Sequence, residues 1–138
     1  MLTVVAAIIE SEGKLLVCQR RRGSKFELQW EFPGGKTQAN ESLEQALERE
    51  LREELGVMAQ VGREVYRTIH KYDEMPEGPK VIELVFFAAR VAPAEVRNLE
   101  FERIEWREPA ALRDLNFLAG DRELVRKLAG DAIRIVRD

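Results

Sequence analysis

Three glutamates crowd the stretch Arg49-Glu50-Leu51-Arg52-Glu53-Glu54-Leu55, and carboxylates at that density are candidates for holding a hard cation. Leu43, Leu47, Leu51 and Leu55 recur every four residues with Ala46 beside them, which is helical spacing. At about 100° per residue, Glu50 and Glu54 project into the arc of Leu43, Ala46 and Leu47, while Glu53 lies at its edge. A merely solvated acidic face would sit on the opposite side, where the spacing places Gln45, Arg49 and Arg52. Carboxylates on the apolar side raise one another's energy through desolvation and repulsion unless a cation compensates. Hard oxygen ligands suit Mg²⁺ or Mn²⁺. Upstream, Gly34-Gly35 lets the backbone come close to a ligand, Lys36 offers a point charge, and Arg20, Arg21 and Arg22 add anion-binding groups. A carboxylate-bound metal beside anion donors is the layout of phosphoryl chemistry, in which positioning and charge neutralisation do most of the catalysis.

The elements that must hold these residues are readable from periodicity and turn signals. Residues 3–9 and 14–19 are apolar or β-branched runs around Gly13, and they predict a hairpin. Residues 20–29 are polar and basic, a loop by composition, and Trp30-Glu31-Phe32-Pro33-Gly34-Gly35 reads as ending in a Pro-Gly turn. The leucine helix is capped by Asn40 or Ser42 and stopped by Gly56. Strand-type residues 57–72 and 81–91 flank the Pro- and Gly-containing segment 73–79, a second hairpin. A short strand at 103–106, helical turns at 109–115 and a helix at 121–128 capped by Asp121 complete the chain. Strands and helices are interspersed without repeat or linker, so the expectation is one α+β domain over residues 1–138.

The run Gly35-Lys36-Thr37-Gln38-Ala39-Asn40-Glu41, continued by Arg49-Glu50-Leu51-Arg52-Glu53-Glu54-Leu55-Gly56-Val57, resembles the Nudix hydrolase signature Gly-x5-Glu-x7-Arg-Glu-U-x-Glu-Glu-x-Gly-U, with U aliphatic, at every fixed position. The resemblance implies an α/β/α sandwich around a mixed β-sheet, with residues 35–57 forming a loop, helix and loop. It implies that Glu50, Glu53 and Glu54 ligate divalent metal with Gly35 beside it, that Arg49 orients the carboxylates, and that Glu41 supports the loop. Family reactions hydrolyse a phosphoanhydride of a nucleoside diphosphate linked to another moiety. The segment from Trp30 to Lys36 is similar to the one leading into the signature in MutT-type nucleoside triphosphate pyrophosphohydrolases, which puts Phe32, Gly34, Gly35 and Lys36 against substrate. The stretch Leu115-Asn116-Phe117-Leu118-Ala119-Gly120-Asp121 is similar to the place where that subgroup sets an Asn or Asp against the base. There the apolar side chains of Phe117 and Leu118 are suited to flank a planar ring and an ionised Asp121 only accepts hydrogen bonds, while by the same match Glu100 is a loop glutamate approaching the metal.

Simpler roles stand beside these. Trp30 and Phe32 suit a core, Arg20 to Arg22 a solvated turn, Glu100 an ordinary acidic loop, His70 a structural position, and Cys18 a small buried hydrophobe. With 138 residues, 45% of them hydrophobic, and no apolar run approaching the ~20 residues of a bilayer span, the chain can build a core and carries no membrane helix. The start of the chain shows no basic leader or cleavage site, and one cysteine excludes an internal disulfide, so a reducing cytoplasm is expected. A net charge of −3 speaks against a nucleic-acid polymer as the partner and leaves a small anionic nucleotide. The expectation is therefore a Mg²⁺-dependent enzyme, with Mn²⁺ able to substitute, a monomer or weak homodimer. It would cleave a triphosphate of the 8-oxo-dGTP or dGTP type, the alternatives being a cytidine triphosphate, ADP-ribose or a nucleotide sugar, or a non-catalytic nucleotide-binding regulator.

Overall fold

The computed structural model describes residues 1–73 and 77–135. The turn expected between the second pair of strands falls partly on residues 74–76, and the last three residues of the expected domain are 136–138, all outside the described residues. Strand β1 (Leu2–Ser11) turns through Glu12 and Gly13, both at positive φ, into β2 (Lys14–Gln19). Two short strands follow, β3 (Trp30–Glu31) and β4 (Gly34–Lys36), then helix α1 (Leu43–Leu55). The long strands β5 (Gln60–Tyr72) and β6 (Lys80–Arg90) pair as a hairpin, and β7 (Arg103–Arg107) and helix α2 (Arg122–Ala129) follow.

The sheet runs β3-β2-β1-β6-β5, with β4 also on β1 and β7 also on β2. It is mixed because β1 and β6 lie parallel, from Leu2 opposite Ile82 to Ile9 opposite Ala89, whereas the remaining pairings are antiparallel. β1 is apolar without alternation because both its faces are covered. Val5, Ala7 and Ile9 pack with Leu47, Leu51 and Leu55 of α1, and Ala6 and Ile8 pack with Leu124 and Leu128 of α2. Those two cores make the expected sandwich of helix, mixed sheet and helix.

The helix that carries the glutamates is well specified at both ends. Ser42 is its N-cap, accepting from Gln45 N–H at 3.1 Å while Gln45 Oε1 accepts from Ser42 N–H at 2.9 Å, a reciprocal capping box. Gly56 closes it at φ 68°, the left-handed conformation that glycine adopts without a Cβ penalty.

Two local expectations need correction. Gly34 and Gly35 do not form a turn: they belong to β4, with Val5 opposite Gly35 and Ala6 opposite Gly34. A Cβ on Gly34 would fall 2.0 Å from the Val5 carbonyl oxygen, so the glycine is required by close strand contact. Asp121 does not cap α2: its backbone is already helical at φ −96° and ψ −12°, and its side chain makes no cap bond.

Candidate active site

Arg49 organises the signature carboxylates. Its Nε donates to Glu41 at 2.6 Å, its Nη1 to Glu50 at 2.9 Å and to Glu53 at 3.4 Å, and its Nη2 to the Lys36 carbonyl at 3.1 Å and to Glu41 at 3.1 Å. The helical wheel had set Arg49 on the solvated face. Its length carries the guanidinium round the helix to the carboxylates, leaving the side chain only 15% exposed. The bond from Arg49 holds the Glu41 carboxyl below its ordinary range and fixes the guanidinium as a cation.

Glu54 lies deepest of the three. Its Oε1 accepts from Gly34 N–H at 3.0 Å, so β4 and α1 are tied through a carboxylate. Burial, followed by the charges of Glu50 and Glu31, pushes its pKa up to about 9. Glu50 is raised in the same direction, chiefly by burial, despite its bond from Arg49. Gly35 leaves room for Glu50, since a Cβ there would lie 2.5 Å from the Glu50 carboxyl carbon. Glu53 is more open, its side chain 57% exposed.

A cavity of about 430 Å³ opens beside this cluster. Gly34, Gly35, Lys36, Glu54 and Glu100 line it on the side of α1, Arg20 and Arg21 come from the β2–β3 loop, and Phe32, Leu118 and Asp121 line it on the side of α2. Glu31 acts on both groups, since its charge raises the pKa of Glu54 and of Asp121. Arg20 Nη1 meets both Glu31 oxygens at 3.3 Å, which sets that guanidinium in place. Asp121 is the one buried charged residue described. Its carboxyl accepts from Phe32 N–H, and desolvation, then Glu31, drive its pKa well above the ordinary value.

The structure thus gathers the signature glutamates, Gly34, Gly35, Lys36, Arg20, Arg21, Phe32, Glu100 and Asp121 around one region. Phe117 stands apart and corrects the expectation that it flanks a ring. It is 2% exposed and packs behind Phe32, with ring centroids 5.3 Å apart, rather than lining the cavity. For Asp121, burial first and the Glu31 charge second weigh against the ionised form. Sequence reasoning overlooked Glu31, Phe26 and Tyr72, which also line the cavity. The signal for Glu31 was a carboxylate set between two aromatic residues, Trp30 and Phe32. Phe26 and Tyr72, whose rings approach to 5.4 Å, come from distant segments and carried no local signal. Cys18 is buried, as expected of a small hydrophobe, and His70 packs edge-on against Tyr72 at 4.5 Å.

The oxygen donors fit a hard divalent cation. Glu50 and Glu54 are forced together with their ionisation suppressed, a strain that a cation of charge two relieves. Among the described residues no three acidic side chains stand pre-gathered as a cage, and Glu54 and Glu100 line the cavity while Glu50 and Glu53 do not.

The Nudix domain family matches residues 1–128, and the chain belongs to it: a MutT-type hydrolase acting on phosphoanhydride bonds. It is 34% identical over 132 residues to the 8-oxo-dGTP diphosphatase of Haemophilus influenzae, covering 95% of this chain and 93% of that one. It is 57% identical over 65 residues to the CTP pyrophosphohydrolase of Escherichia coli, a match spanning 47% of this chain and 48% of that protein. Among solved structures, the E. coli ORF135 protein superposes with a TM-score of 0.77 at 35% identity, covering 96% of this chain and 89% of that one. Members of the family generally use divalent metal and act on small nucleotides. Among the described residues no helix is long and apolar enough to cross a membrane.

Proposed function

We propose that the chain is a Mg²⁺-dependent nucleoside triphosphate pyrophosphohydrolase of the 8-oxo-dGTP or dGTP type, releasing nucleoside monophosphate and pyrophosphate. It works as one catalytic domain over residues 1–138, in the cytoplasm, as a monomer or weak homodimer, on a free nucleotide rather than a nucleic-acid polymer. The observation that carries this is one cavity lined both by carboxylates suited to a cation and by a shielded acid suited to a base. Glu50, Glu53 and Glu54, with the Gly35 carbonyl and Glu100, would hold Mg²⁺. Bound there, the metal neutralises phosphate charge and lowers the pKa of the attacking water. Arg49 keeps Glu50 and Glu53 aimed, Gly34 N–H keeps Glu54 aimed, and Arg20, Arg21 and Lys36 attract the polyphosphate.

In this reading Asp121, whose ionised form burial disfavours, meets the base as a neutral acid. A carboxylic acid donates one hydrogen bond and accepts another. Guanine shows two acceptors, N7 and O6, on its major-groove edge. Oxidation at C8 turns N7 into an N–H, so the 8-oxo base presents a donor beside an acceptor and matches the acid. A cytidine triphosphate is the second reading, favoured by the stretch of 57% identity; its N3 acceptor and 4-amino donor also match. The test is a panel of nucleotides with Mg²⁺ and chromatographic identification of products. 8-oxo-dGTP should give monophosphate and pyrophosphate with the highest kcat/KM. A higher value for CTP would make the second reading the right one, and turnover of neither would reject both.

A further inference from the structure

The loop from β6 to β7 has only a short 3₁₀ turn at Pro93–Glu95, yet it is pinned where it passes the cavity. Arg97 N–H donates to the Leu55 carbonyl at 2.9 Å and Leu99 N–H to the Glu54 carbonyl at 3.0 Å. Those are carbonyls that a helix leaves without intrahelical partners at its C-terminus. The loop is therefore fastened to the same residue whose side chain lies at the heart of the carboxylate cluster. On its other flank, Glu102 N–H donates to the Gln19 carbonyl at 2.9 Å, and the Glu102 carboxylate accepts from Arg22 N–H at 3.1 Å. Glu100 lies between these pins and lines the cavity.

Asn98 sets the path of the chain between them. Its Oδ1 accepts from Phe101 N–H at 2.8 Å and from Glu100 N–H at 3.3 Å, and its Nδ2 donates to the Phe101 carbonyl at 2.8 Å. One carboxamide thus closes the turn that contains Glu100, as Asx side chains do when they bond the backbone two or three residues on. Phe101 is buried in the core beneath α1 and anchors the far end of the turn. Asn98 is exposed, so it fills no core space and acts through these bonds. Gly56 contributes clearance: a Cβ there would lie 2.9 Å from the Arg97 guanidinium, which crosses the helix end just before Asn98.

We propose that Asn98 is a positioning residue, whose carboxamide holds the turn that presents Glu100 to the metal-binding side of the cavity. The proposal rests on the role given above to Glu100, and the experiment separates the two. Full-length Asn98→Ala, Asn98→Asp, Glu100→Gln and the Asn98→Ala/Glu100→Gln double variant are compared by Mn²⁺ affinity of the substrate-free protein, read by electron paramagnetic resonance. The same set is compared by kcat and KM, with melting temperature as the control. Asn98→Ala should weaken Mn²⁺ binding and lower kcat about tenfold or more, as misplacement of a reacting group does, with KM and melting temperature near wild type. Asn98→Asp, which keeps both accepted bonds, should recover most of the loss, and the double variant should be no worse than Glu100→Gln alone.

Wild-type Mn²⁺ affinity and kcat in Asn98→Ala, with Glu100→Gln impaired, would overturn the positioning role alone, as would losses that simply add in the double variant. Wild-type behaviour of Glu100→Gln would overturn the role of Glu100 and that of Asn98 with it. If Asn98→Ala does not fold, Asn98→Gln, whose extra methylene cannot close the same turn, is judged by the same readouts.

Discussion

Glu54 and Asp121 line the same cavity, and both are acids whose ionisation is suppressed by burial. Their neighbours differ. Glu54 sits among Glu50, Glu31 and Glu100, whose charges add to its burial, and a divalent cation bound there would restore its charge and relieve the crowding. Asp121 stands by Phe32 and Leu118 and accepts from Phe32 N–H, and burial, with Glu31 second, weighs against its ionised form. The two acids thus share burial as the leading cause of their shift and differ in the carboxylates that add to it, Glu50, Glu31 and Glu100 for Glu54 and Glu31 alone for Asp121.

The largest effect should come from breaking the first half of that contrast. Glu54→Gln retains the acceptor for Gly34 N–H but removes the charge proposed to hold the metal, so kcat should fall on the order of 10²-fold or more. Glu50→Gln should behave similarly, and circular dichroism should show the fold intact in both. Near-normal turnover in either would mean that the cation is held elsewhere.

The next effect is on stability against pH. The folded pKa of Glu54, about 9, lies above the ordinary value of 4.5, so between those values the folded state binds a proton that the unfolded chain has lost. Stability of the metal-free protein should accordingly be greatest at low pH in that window. It should decline as pH rises through it, by up to about 1.4 kcal/mol per unit for one fully coupled group. Asp121 contributes with the same sign. Thermal melts from pH 5 to pH 9 should show a falling midpoint, and Mg²⁺ should raise the midpoint most at the alkaline end. In Glu54→Gln the decline should be shallower and the Mg²⁺ effect smaller. A metal-free midpoint that rises across the window would contradict the burial of these acids.

The second half of the contrast is sharpened by paired substitutions at Asp121. Asp121→Ala should raise KM for the best substrate roughly tenfold or more, the worth of one strong hydrogen bond, and narrow the gap between 8-oxo-dGTP and dGTP. Asp121→Asn, neutral with one donor and one acceptor group, should keep most of the preference. Kinetics in which Asn is as damaging as Ala would show that the ionised acid does the reading. The smallest effect belongs to Phe117, which backs Phe32 instead of touching the cavity. Phe117→Leu should cost about 1 kcal/mol of stability and leave KM within about twofold, a comparison made by chemical denaturation and steady-state kinetics.

Legibility from sequence followed the range of the interactions. Helix α1 was readable because its leucine period, Ser42 cap and Gly56 stop are all local. The spacing of its glutamates was enough to place them beside a core face. The hairpins were readable for the same reason. Pairing of Gly34 and Gly35 with β1 was not, because it depends on a strand some thirty residues away and the glycines alone resemble a turn. The reach of Arg49 across its helix was missed because a wheel projects Cα directions and ignores the length of a side chain. The raised pKa of Asp121 was not readable either, because it comes from burial in the fold and from the charge of Glu31, ninety positions earlier in the chain.

The most direct test of the central claim, that the crowded carboxylates of α1 hold a catalytic cation, is hydrolysis of 8-oxo-dGTP by the wild-type protein in excess EDTA and again after Mg²⁺ is restored. Monophosphate and pyrophosphate should be absent in chelator and return with Mg²⁺ or Mn²⁺. Undiminished product in EDTA would contradict the account.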